Sequence, residues 1–153
     1  MQQLLSMGAK SMMTAQLLLL QAGWSPGRRV EVGSMLAELS TAGHDVVAPV
    51  REFLATYSGL TIRNGNRVLR IDGHRAARNA DVEWCAEYAE AIGRAVTPVG
   101  DYSHLTLMID ESGQFWGGFD TDYGLLGNDL VEVVHALLVD PVSGRLDREL
   151  PDL

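Results

Sequence analysis

The residues able to do chemistry in this chain are few and scattered. Four histidines (His44, His74, His104, His135) and one cysteine (Cys85) are its candidate bases, nucleophiles and soft metal ligands. No two histidines stand four residues apart, as a helical zinc pair requires, and none is spaced with Cys85 as a ligand set. Ser112 lies in Asp110-Glu111-Ser112-Gly113-Gln114, which lacks the Gly-x-Ser-x-Gly turn that exposes a nucleophilic serine. Trp116-Gly117-Gly118 opens no helix carrying Lys and Ser or Thr, so a phosphate-cradling loop is absent on context. Catalysis would require two of His74, His104, Asp110 and Asp122 to converge in one pocket. The expectation is a protein that is not an enzyme and holds no cofactor or metal.

What remains is a surface. The carboxylates Asp101, Asp110, Glu111, Asp120 and Asp122 are interleaved with Tyr102, Phe115, Trp116, Phe119 and Tyr123. An EF-hand needs carboxylates at alternate positions closed by a glutamate, and this set does not supply them. Two readings are open: solvated hairpin ends, or an acidic face anchored by Trp and Tyr, the residue types that dominate binding interfaces. The interface reading names Asp101, Tyr102, Asp110, Glu111, Trp116, Asp120, Asp122 and Tyr123.

Charge supports a basic partner. The net charge is −8, which disfavours nucleic acid and anionic membranes. Residues 1–80 hold nine basic and five acidic side chains, whereas residues 81–153 hold three and fifteen. An acidic half of that kind steers a cationic partner and raises its association rate. Arg63, Arg67, Arg70, Arg75 and Arg78 form a basic run without interleaved aromatic rings, unlike a single-strand nucleic-acid site. It reads as a solvated hairpin edge guarded against aggregation. A single cysteine excludes an internal disulfide and fits a cytoplasmic setting. The apolar run 17–20 is too short to span a bilayer.

The elements that would position these residues follow from periodicity. Residues 11–22 read as a helix with its apolar face at Met13, Leu17 and Leu20. Val32 to Ala42 reads as a second, with Met35, Leu36 and Leu39 inward and Gly43 as stop. Pro49 opens a third, with Val50, Phe53, Leu54 and Tyr57 on one face. The sequence around Asn64-Gly65-Asn66 predicts a hairpin, with a three-residue loop opposing Ile62 to Val68. Asn79 or Asp81 starts a further helix, striped by Val82, Cys85, Ala86, Ala89 and Ile92 and carrying the aromatic pair Trp84 and Tyr88. A second hairpin alternates Leu105, Leu107 and Ile109 onto one face, turns at Asp110–Gly113 and returns through Phe119. Neighbouring strand residues point oppositely, so one of Phe115 and Trp116 must be exposed or covered by another element. Leu130 to Val139 reads as a buried final helix. The order lacks regular strand–helix alternation, which predicts an α+β domain with a central, mainly antiparallel sheet flanked by helices. Residues 15–140 form that single domain, residues 1–14 an N-terminal extension running into the first helix, and residues 141–153 a C-terminal tail.

One segment fits none of these roles. In Ala22-Gly23-Trp24-Ser25-Pro26-Gly27-Arg28, a large aromatic is planted in a Gly/Pro turn and a cation follows. Together with Leu19-Leu20-Gln21 before it, Phe53-Leu54, Tyr57-Ser58-Gly59-Leu60, Thr97-Pro98-Val99-Gly100, Leu107-Met108-Ile109-Asp110 with Gly113, and Gly124 to Leu138, this turn resembles the SUKH superfamily, in its third group of bacterial immunity proteins. The resemblance covers roughly residues 15–140. Ser58 departs from the pattern, where the family often has Gly. The resemblance implies an α+β fold and a cytoplasmic immunity protein, monomeric or weakly dimeric, that binds a cognate toxin domain and blocks its active site. Related toxins are often nucleases or nucleic-acid deaminases, whose substrate sites are basic. A regulatory adaptor on the same fold is the alternative. Within the motif, Gly23, Trp24, Pro26 and Arg28 are expected to be structural: Trp24 would lock the first helix to the second, and Arg28 would bind nearby carbonyls or carboxylates.

Overall fold

The computed structural model describes residues 12–141 and 146 in full, and the backbone of residues 2–11 and 148–149. Residues 142–145, 147 and 150–153 of the expected tail, and Met1, lie outside the described residues. Among the described residues, six helices and seven strands occur in the order α1 (Gln2–Gln21), α2 (Gly33–Ala42), α3 (Val50–Tyr57), β1 (Leu60–Asn64), β2 (Arg67–Ile71), α4 (Gly73–Asn79), α5 (Val82–Ile92), β3 (Val96–Tyr102), β4 (Leu105–Asp110), β5 (Phe115–Phe119), β6 (Asp122–Gly127), α6 (Leu130–Val134) and β7 (Arg148–Glu149). A π-helical turn, His135–Val139, continues α6. The strands form one antiparallel sheet in sequence order, with the two-residue β7 at the far edge. The α+β expectation is therefore met.

The sheet has an apolar side and an aromatic side. Leu105, Leu107 and Ile109 alternate onto one face, as their spacing predicts, and pack with Ile62, Leu69, Phe115 and Leu126 under α1, α2, α3 and α6. Met108, Trp116 and Tyr123 alternate onto the other, where Cys85 and Tyr88 of α5 cover them. Phe115 and Trp116 are thus both buried, one under each layer, and α5 is the element that covers the second.

Local chemistry sets the boundaries. Asp72, Asp81 and Asp129 N-cap α4, α5 and α6, accepting from the main-chain N–H groups of Arg75, Trp84 and Glu132. Pro98 sits at a bulge, where β3 gains one residue against β4. Gly100 follows it because a Cβ there would lie 2.4 Å from the Arg70 carbonyl oxygen of β2.

Four expectations need correction. The first hairpin has a two-residue loop, and Asn64 pairs with Arg67. Gly65 at φ +64° takes the first central position, as a type II′ turn requires, so Ile62 opposes Leu69 and both are buried. On α1 the buried face is Ala15, Leu18 and Leu19, whereas Met13, Leu17 and Leu20 face solvent. Both triads match a helical period, and the packing of α1 against α6 and the π-helical turn selects the first. On α5 the innermost residues are Cys85 and Tyr88, while Ala86 is exposed. Finally, the arginine run is split among β1 (Arg63), β2 (Arg67, Arg70) and an unforeseen α4 (Arg75, Arg78). Arg75 pairs with Asp101 at 2.8 Å and Arg78 with Glu38 at 2.9 Å. Arg67 joins Asn64 in donating to the Leu138 carbonyl of the π-helical turn.

Candidate partner-binding surface

The sheet register sorts seven of the eight candidate residues to two ends, with Trp116 between them. Tyr102 opposes Leu105 and Phe119 opposes Asp122, so Asp101, Tyr102, Asp120, Asp122 and Tyr123 gather at the β3–β4 and β5–β6 turns. Val96 opposes Asp110 and Phe115 opposes Gly127, which puts Asp110 and Glu111 at the opposite end. The eight residues are therefore not one patch.

Nor are they all on the surface. The Asp110 side chain is fully buried. Its Oδ1 accepts from the Ser112 N–H (2.8 Å), the Ser112 hydroxyl (2.6 Å) and the Gln114 N–H (3.0 Å). Its Oδ2 accepts from the Trp116 indole (2.9 Å) and from Arg94 (3.0 Å). Burial pushes this carboxyl up, but the hydrogen bonds from Ser112, Trp116, Arg94 and Gln114 outweigh it and pull its pKa down to about 2. Asp110 and Trp116 thus hold the β4–β5 turn rather than present themselves to a partner. Tyr123 is also buried, edge-on to Tyr88 at 5.2 Å. These three leave the expected contact surface because alternation places their side chains under α5 or inside the turn. Glu111 is exposed, at the end away from the remaining candidates.

The β3–β4 and β5–β6 turns build a different surface. Ser103 (φ +52°) and Asp120 (φ +56°), the non-glycine residues of positive φ among those described, occupy these two turns. The Trp84 indole N–H donates to the Asp120 carbonyl at 2.7 Å and ties the start of α5 to the β5–β6 turn. Phe119, 46% exposed, packs against the His104 ring at 5.4 Å. Between them lies an open cavity of about 240 Å³, lined by Asp81, Trp84, His104, Gly118, Phe119 and Asp120, among others. A second cavity of about 180 Å³ shares Asn79, His104 and Thr106 with it and extends to Arg75 and Asp101.

The outer face of α5 adds charge outside the hairpin acids. Glu83, Glu87 and Glu90 recur at i, i+4 and i+7, and none of their side chains has a hydrogen bond or ion pair among the described residues. That spacing was legible in the sequence.

The histidines lead elsewhere. His74 pairs with Glu38, which also takes Arg78. His44 is buried, its Nε2 has no hydrogen-bond partner, and burial lowers its pKa. Burial likewise pushes the Cys85 thiol up to about 12. Among the described residues, no group of three or more His, Cys, Asp or Glu is placed to hold a metal, and no helix is long and apolar enough to cross a membrane.

A family model described as SUKH-3 immunity protein matches residues 13–140, most of the chain. The chain belongs to the SUKH superfamily of immunity proteins. Comparison with curated proteins and with solved structures returns no match. SUKH membership gives the chain a general toxin-immunity, protein-binding role. The SUKH turn that carries the resemblance is structural in its geometry. Gly23 (φ +108°) ends α1, and the N–H of Trp24 donates back to the Leu19 carbonyl at 3.1 Å. The Trp24 ring stacks on Tyr57 at 6.4 Å, Tyr57 meets Phe53 at 5.2 Å, and Phe53 meets Phe115 at 5.0 Å. Trp24 therefore locks α1 to α3, not to α2, because the turn folds back over the end of α3. Pro26 is exposed in the same turn. Arg28 donates to the Thr56 (2.7 Å) and Ser58 (2.8 Å) carbonyls, so it caps α3 with a cation at the negative end of the helix dipole. Ser58, the departure from the SUKH pattern, is buried and accepts from the Gly73 N–H at 3.1 Å, bracing the start of α4.

Proposed function

We propose that this chain is a cytoplasmic immunity protein of the third SUKH group that binds one cognate toxin domain and covers its active site without catalysis of its own. The toxin is a nuclease or nucleic-acid deaminase with a basic substrate surface. The observation that carries this reading is the face formed by α5 and the β5–β6 turn. Glu83, Glu87 and Glu90 stand on α5 without internal cations, and Trp84, next to Glu83, ties that helix to Asp120 of the turn. Like charges at i and i+4 on a helix repel by a few tenths of a kcal/mol, roughly 0.2–0.5. A cationic partner relieves that repulsion and is steered toward it from a distance. A surface that suits the groove of a nucleic-acid enzyme must itself imitate the charge of nucleic acid.

The test is co-expression of the toxin domain encoded beside this chain's gene, with and without the chain. Restored growth and a one-to-one complex on size-exclusion chromatography are expected. A toxin that stays lethal beside abundant, folded chain rules the reading out, and capture of an unrelated host protein instead would favour an adaptor.

A further inference from the structure

We infer that the cavity between Trp84 and Phe119 is a slot for an arginine side chain of the partner, resting on the toxin-binding role proposed above. Its chemistry is specific. Gly118 forms the floor, where a Cβ would lie 2.5 Å from the Trp84 ring, so only glycine lets that ring lie down on β5. The indole N–H is committed to the Asp120 carbonyl, and Trp84 lines the cavity. Phe119 supplies a second, exposed ring. Asp81 uses one carboxylate oxygen to cap α5, so the other is free for a ligand. The Asp120 side chain makes no hydrogen bond or ion pair among the described residues. Arg75, which lines the adjoining cavity, is already held by Asp101.

A planar guanidinium satisfies all of this at once. It stacks on aromatic faces and donates in a fixed fork to more than one carboxylate, whereas an ammonium is a compact point charge that prefers water. The adjoining cavity shares Asn79, His104 and Thr106 with the slot and gives the aliphatic stem a path along it. The α5 stripe then steers the partner, and the slot fixes its register.

Two arms test the slot. The first needs no toxin. The full-length ¹⁵N-labelled chain is titrated with N-acetyl-arginine amide and, in parallel, with its neutral isostere N-acetyl-citrulline amide. Saturable shifts at the Trp84 indole, Gly118, Phe119 and Asp120 are expected with arginine only, and at least a fivefold weakening in F119A and in D120N. Shifts confined to Glu83, Glu87 and Glu90, or equal shifts with citrulline, overturn the slot. The second arm measures binding of the adjacent toxin domain by the D81N/D120N double variant, in which asparagine can still cap α5. At least a tenfold loss is expected with an unchanged melting temperature. Unchanged affinity overturns the slot while leaving the toxin-binding role intact. A wild-type chain that does not bind the toxin refutes the toxin-binding role, and the arginine titration still decides the slot.

Discussion

The Asp110 carboxylate and the Trp116 indole, both expected at a partner's surface, hold each other at 2.9 Å inside the molecule. The bond spans the β4–β5 turn and fixes the one Trp that α5 fully covers. Replacing Asp110 by Ala removes the acceptor of two main-chain N–H groups and one bond each from the Trp116 indole and from Arg94, which keeps Gln114. Hydrogen bonds to a charged group contribute about 1.5–3 kcal/mol each, so a loss of about 3 kcal/mol or more is expected in urea denaturation. Toxin affinity of the fraction that remains folded at low temperature should be unchanged. A folded, non-binding variant would return Asp110 to the interface.

The same carboxylate sets an acid limit. Its folded pKa of about 2 lies below the ordinary 3.8, so the unfolded chain takes up the proton first as pH falls. Its contribution is present in full above the unfolded value and is lost as pH falls toward 2; it is worth about 2 kcal/mol. His44 acts in a higher window. Burial lowers its pKa from 6.5, so the unfolded chain again binds the proton more readily, and stability declines as pH falls through 6.5. Denaturation midpoints from pH 8 to 2 should show two declines. D110N should flatten the lower one and a His44→Gln variant the upper.

Arg28 makes two hydrogen bonds to carbonyls two residues apart, and a lysine ammonium does not reproduce that fork. R28K should lower stability by about 1–2 kcal/mol. Trp24→Ala should cost about 3 kcal/mol through lost packing on Tyr57. Thermal melts check both, with toxin binding lost only in proportion to folding.

The Glu83, Glu87 and Glu90 stripe should govern speed more than strength. Changing all three to Gln is expected to slow association with the toxin about tenfold at low salt, and to leave the dissociation rate nearly as it was. Stopped-flow measurements at two ionic strengths distinguish the cases. An association rate insensitive to both salt and substitution places the interface elsewhere.

Much of the fold was legible because alternation is a strong constraint. Leu105, Leu107 and Ile109 declared a buried strand face, and Gly43 and Gly93 ended helices at left-handed positions. The α1 face was misread because Met13–Leu17–Leu20 and Ala15–Leu18–Leu19 are both apolar, and only the position of α6 chooses between them. Helix α4 escaped because Gly73-His74-Arg75-Ala76-Ala77-Arg78-Asn79 has too few large apolar residues to show a period; its Asp72 cap was the available signal. The site was half legible. Acid and aromatic residues cluster in the sequence around the β5–β6 turn, but sequence proximity does not separate the two ends of a hairpin. Nor does it reveal that Trp84, distant in sequence, closes over Gly118.

The unbroken strand order has a consequence in time. Each of β1 to β6 pairs with its neighbour in the chain, across short turns except where α4 and α5 connect β2 to β3, so the sheet can be laid down progressively as residues are synthesised. The exception is α1, which waits for α6 and the π-helical turn, more than a hundred residues later. The α5 face can therefore be assembled on a growing chain, but the apolar side of the sheet is not sealed until the last helix arrives. The finished antidote exists only once nearly the whole chain has been made.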